Sequence, residues 1–115
     1  METRRINELM LSLGIGRQYL GHRIAVQAIL LVIEDETRLL CVKQGVYIPV
    51  SAARQCDWRT IERNIRTVIH RAWTHNAEQL IRIAVYPLHR EPTVTEFLDI
   101  VSSYIMRQFP VRRSS

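Results

Sequence analysis

Between residues 59 and 73, Ile61, Ile65, Val68, Ile69, Ala72 and Trp73 recur at i, i+4, i+7, i+8, i+11 and i+12. That is one stripe of an α-helix facing a core. Arg59, Arg63, Arg66 and His70 fall on the opposite side of the same helix. Similar patterns predict helices elsewhere. Ile6, Leu9, Met10 and Leu13 give a short amphipathic helix ended by the glycines of "GIG" at 14–16. Residues 20–33 are apolar nearly all round, as expected of a central buried helix. The acidic "EDET" at 34–37 caps the next element, from Arg38 to about Lys43, and Gly45 is expected to break the chain after it. Pro49 fits the first turn of a short helix ending near Gln55, and Asp57 is the expected N-cap of the long helix.

After Trp73, "THNA" has the look of a helix end, and "EQLIRIAVYPL" reads as a further short helix stopped by Pro87 or as a strand. Thr93 and Glu96 form a T-x-x-E capping box ahead of the stripe Phe97, Ile100, Val101, Tyr104 and Ile105. Helices with short connections and no convincing strand pair predict an all-α fold, a compact bundle of about six helices. Residues 1–109 form a single domain in this reading, and 110–115 a disordered basic tail.

A chain of 115 residues is long enough for a hydrophobic core without disulfides or metal. Cys41 and Cys56 are too few for either framework and are expected to pack as small hydrophobes in a reduced, cytoplasmic protein. The longest apolar run, residues 24–33, falls short of the ~20 residues that span a bilayer. Net charge is +5, nearly all of the basic side being arginine, which favours a polyanionic partner. The histidines lack metal-ligand spacing and are expected at the surface or near DNA, and "EDE" has no nucleophile or base beside it. Neither an enzyme, a cofactor, a metal nor a small-molecule substrate is expected. Trp73 is expected in the core, and Trp58 is left open between packing and base stacking.

Residues 48–73 have the proportions of a helix-turn-helix, whose second helix enters the major groove of double-stranded DNA. Base contacts would then come from Arg59, Glu62, Arg63 and Arg66. The arginine fork matches guanine O6 and N7, and Glu62 either accepts from a cytosine amino group or holds Arg66 one turn on. Arg54, Thr60, His70 and Arg71 are the candidate phosphate contacts. The competing reading is a solvated face stitched by i,i+3 and i,i+4 ion pairs. Periodicity alone leaves both open, and the turn Gln55-Cys56-Asp57 lacks the usual glycine.

"YIPVSAARQCDWRTIERNIRTVIHRAW" resembles the core of the C-terminal DNA-binding effector domain of the master sporulation response regulators, whose helix runs "VERAIRHAIEVAW" or close to it. Upstream, "LGIGRQYLGHRIAVQAI" is similar to that family's "IGVPAHIKGYLYLREAI" without a gap, and downstream "EPTVTEFLDIVS" is similar to "KPTNSEFIAMVA". The resemblance spans residues 7–108. It implies a six-helix fold, recognition of a TGTCGAA-type box by Glu62, Arg63 and Arg66 with Arg59 and Thr60 at the helix entrance, and tandem or homodimeric binding on adjacent boxes. It also implies a transcription regulator associated with the nucleoid.

The chain departs from the family pattern in three places. Ser51, Ala52 and Ala53 stand where lysines are frequent, Arg54 stands where the family is aromatic, and the segment between Trp73 and Pro92 is shorter. No part of the sequence reads as a phosphoacceptor receiver domain, so a free-standing effector-like protein is expected. The alternative function is a receiver-less protein-interaction module that modulates another regulator without reading DNA.

Overall fold

In the computed structural model, residues 2–108 are described; the basic tail predicted at 110–115 lies outside them. Helix α1 (Glu2–Ser12) buries Ile6, Leu9, Met10 and Leu13, as their spacing predicts. Its end is a Schellman turn. The Ile15 amide donates to the Met10 carbonyl at 2.9 Å and the Gly14 amide to the Leu11 carbonyl at 3.0 Å, with Gly14 at φ 82°. Ile15 and Met10 are both fully buried, supplying the apolar contact that accompanies this cap.

Helix α2 (Leu20–Glu34) is the central element, packing against α1 and the later helices with nine buried residues. One of them is His22, 2% exposed, so the expectation that every histidine lies at the surface fails there. Its Nδ1 donates to the Ile15 carbonyl at 3.1 Å and its Nε2 meets the Asn7 amide at 2.8 Å, which satisfies both ring nitrogens away from water.

Asp35 caps the following 3-10 helix, Glu36–Cys41, by accepting from the Thr37 amide at 3.1 Å and its hydroxyl at 2.6 Å. The acidic cluster is thus a local cap, as read from the sequence. Gly45, by contrast, does not break the chain. Residues Lys43–Tyr47 form a wide π turn that runs directly into α3 (Ile48–Arg54). The glycine is needed for close approach: a Cβ there would sit 2.5 Å from the Arg38 carbonyl oxygen, and Arg38 donates to the Gly45 carbonyl at 2.8 Å. Cys41 and Cys56 are both exposed, one at the end of the 3-10 helix and one in the turn after α3, where no core reaches them.

Helix α4 (Trp58–Ile83) starts at Asp57, whose carboxylate accepts from the Arg59 amide at 2.7 Å. The helix end read at "THNA" is a kink. Asn76 leaves helical geometry at φ −154°, and its side chain accepts from the Gln79 amide at 3.2 Å, capping the second half as a new helix. That half closes at Ile83 rather than Pro87, with Arg107 donating to the Ile83 carbonyl at 3.0 Å. The strand reading of this segment is overturned.

Helix α5 (Val94–Gln108) begins with the expected capping box. The Thr93 amide donates to Glu96 at 2.8 Å, and the Glu96 amide to the Thr93 hydroxyl at 3.1 Å. The described residues contain α, 3-10 and π helices and no strand, so the fold is an all-α bundle.

Arg90 also pairs with Glu96 at 2.8 Å, and these contacts, Arg90 first and the Thr93 amide second, hold the Glu96 carboxyl below the usual carboxylate range. A carboxyl depressed on folding contributes stability above its unfolded pKa, about 4.3, and loses it as pH falls through the folded value. The urea midpoint is therefore expected to drop between about pH 5 and pH 3, and to drop less in Glu96→Gln, which keeps the capping acceptor without the charge. Equal drops in both proteins would remove Glu96 from the acid response.

Candidate nucleic-acid interface

Helix α4 divides cleanly into two faces. Ile61, Ile65, Val68, Ile69 and Ala72 are buried in the core, while Trp73 sits half-buried at its edge rather than inside it. Arg59, Arg63, Arg66 and His70 are all exposed on the outward face, together with half-buried Glu62. Trp58, Thr67 and these five residues line one shallow groove along the helix. The face is therefore a continuous surface built by one rigid element, which fixes the spacing of its side chains.

Two short contacts tie the ends of this face. Arg59 lies 3.6 Å from the Asp57 carboxylate, and His70 Nδ1 lies 2.9 Å from Glu91 Oε1. Between them, the side chains of Glu62, Arg63 and Arg66 make no hydrogen bond or ion pair among the described residues, while the Arg63 carbonyl accepts from the Thr67 hydroxyl at 3.0 Å. The i,i+4 pair that would hold Arg66 on Glu62 is not formed. A solvated face stitched together by such pairs is thus not what the helix carries.

The motif that presents α4 is α3, the turn at 55–57, and α4 itself. Gln55 takes the left-handed conformation at φ 56°, the role for which a glycine would be usual, and its amide and that of Cys56 close the end of α3. At the start of α4, Trp58 stacks on buried Tyr47 with ring centroids 6.0 Å apart and planes within 9°. Lys43 Nζ lies 4.4 Å and Arg59 Cζ 5.3 Å from the Trp58 ring centre. Trp58 is thus a packing residue that carries two cations at the rim of the groove. Burial, and then the Glu62 charge, push the Tyr47 phenol up to about 12, with Arg66 opposing them, so that hydroxyl stays protonated beside the groove.

The predicted phosphate contacts separate. Thr60 is half-buried on the flank of α4, where its carbonyl accepts from Asn64 at 2.8 Å. Arg71 lies on the same flank, donating to the Tyr19 hydroxyl at 2.8 Å with its guanidinium 4.2 Å from the Tyr19 ring centre. Arg54 is turned away from the groove and donates to Gln27 of α2. Lys43 and Tyr19 lie outside the helical stripes of α4; one lysine in a chain of arginines and an aromatic ahead of α2 carry too little pattern to mark a site.

A family model described as "Sporulation initiation factor Spo0A C terminal" matches residues 6–105. The chain belongs to that family. The Spo0A C-terminal domain is a DNA-binding domain of sporulation regulators, and not an enzyme family, so DNA is the partner and transcription regulation the role that membership brings. No curated protein matches the chain. Among the described residues, no helix is long and apolar enough to cross a membrane. The Spo0A match runs from within α1 to within α5 and includes the whole of α4, so the outward face of α4 lies inside the matched region.

Proposed function

We propose that the chain binds double-stranded DNA sequence-specifically, with the first half of α4 in the major groove. Arg59, Arg63 and Arg66 read guanines, and Glu62 accepts from a cytosine amino group within the same box. Thr60, His70 and Arg71 contact the phosphates on either side, joined by Lys43 at the helix entrance. The observation that carries this reading is the unpaired set Glu62, Arg63 and Arg66 at the centre of an exposed face. Guanidiniums already committed to carboxylates have to break those pairs before meeting a base; Arg63 and Arg66 do not, whereas Arg59 has to leave Asp57. Glu62 adds selectivity, because a carboxylate at the centre of the face repels phosphate and is useful only against a donor edge.

The resemblance points to a TGTCGAA-type box, with copies seated in tandem or as a homodimer on adjacent boxes. The test is a titration of the protein against box and scrambled duplexes at two salt concentrations. Affinity for both is expected to fall with salt, log K changing by ~0.9 per neutralised phosphate for each unit of log salt, while preference for the box survives. Equal affinity for the two duplexes would reduce the face to a non-specific polyanion surface. Binding to neither would favour the protein-interaction reading, for which the observation is the lysine-free outer side of α3, where Ala52 and Ala53 are exposed.

A further inference from the structure

We propose that the cavity between α1, the 13–19 connection, α2 and the end of α3 binds a phosphorylated small molecule, at a site separate from the DNA-facing groove. It holds about 400 Å³, and its lining includes Thr3, Asn7, Arg17, His22, Arg23 and Arg54. Three guanidiniums from three different parts of the fold share this concavity, with no carboxylate in its described lining. Arg54 donates to the neutral amide of Gln27, and the side chains of Arg17 and Arg23 have no hydrogen bond or ion pair among the described residues. Like charges gathered without a counter-charge raise the local potential and attract an anion. Guanidinium forks match phosphate oxygens in pairs, and a phosphate monoester brings nearly two charges to satisfy them.

The floor of the cavity is set before any ligand arrives. His22 is 2% exposed and bridges the Ile15 carbonyl at 3.1 Å and Asn7 at 2.8 Å, which locks the connection bearing Arg17 onto α1 and α2. A polar floor held in this way lowers the ordering cost of binding. Small-molecule pockets span ~300–1,000 Å³, so this one suits a phosphate with a sugar-sized body. None of its lining residues is shared with the groove along α4, which sets it apart from the duplex. In the ungapped match to "IGVPAHIKGYLYLREAI", the positions of Arg17, His22 and Arg23 hold alanine, tyrosine and leucine, so the cluster belongs to this chain rather than to the quoted family segment.

The experiment uses the full chain, with inorganic phosphate and adenosine 5′-monophosphate as probes and chloride at equal ionic strength as the control. Saturable amide shifts at Asn7, Arg17, His22 and Arg23 are expected with both probes, tighter with the monophosphate. Arg17→Gln/Arg23→Gln, which alters two exposed side chains, is expected to weaken binding ~10-fold or more with an unchanged urea midpoint. Shifts that rise linearly and alike with phosphate and chloride, or affinity unchanged in the variant, would overturn the site. The same variant is expected to bind box and scrambled duplexes as the parent does. A uniform loss on both, with a shallower salt dependence, would assign these arginines to the DNA backbone and overturn the small-molecule site. Box preference in the parent protein is read separately, so failure here leaves the DNA reading standing.

Discussion

Arg63→Ala/Arg66→Ala is expected to lose most of its preference for a TGTCGAA-type duplex over a scrambled one. Each well-placed arginine-to-guanine pair discriminates by ~1–3 kcal/mol, so the two together account for ~2–6 kcal/mol. Specific sites typically exceed non-specific ones by ~4–10 kcal/mol, so this loss is a large share of the total. The residues stand three apart on one helix, and their combined effect can depart from the sum of the single variants. Arg63→Ala alone is expected to cost ~1–3 kcal/mol and to relax selectivity at one base position. Both side chains are exposed and unpaired, so urea unfolding should be unchanged. The decisive comparison is between duplexes: equal losses on box and scrambled DNA would make these two arginines phosphate contacts.

Ile65→Ala strikes the other face of the same helix and is expected to act on stability instead. Ile65 is fully buried in the core cluster, and truncating such a residue costs ~2–5 kcal/mol through lost burial and the cavity left behind. Domains of this size typically hold only ~5–15 kcal/mol, so the variant should unfold at a much lower urea concentration. The fraction that remains folded should keep the parent's base preference, because no groove residue is removed. A stable Ile65→Ala protein with altered base preference would show that the two faces are not separable in the way the geometry implies.

Periodicity was enough to find the faces of α1, α4 and α5, because burial demands apolar residues on one side and the helix repeat places them there. Capping chemistry was equally local: Asp57 and the Thr93–Glu96 pair act within a few residues of themselves. What escaped was set by contacts distant in sequence. His22 is buried because Ile15 and Asn7 offer it partners, and no pattern around residue 22 announces them. Gly45 reads as a breaker in sequence because its real constraint, the approach of Arg38, lies in folded space. The arginine row itself was legible, but its freedom from ion pairs was not. Sequence places Glu62 within reach of Arg66, and only the folded structure shows that the pair is not formed.

That freedom has a second side. Arg63 and Arg66 lie one turn apart on α4 with neither guanidinium held in an ion pair, so their like charges repel weakly in the unbound protein, by roughly a few tenths of a kcal/mol. Dissolved ions that screen this repulsion ease the folded state while they loosen its grip on a polyanion. Ionic strength therefore pulls this domain in opposite directions, toward a more relaxed molecule and toward an emptier one.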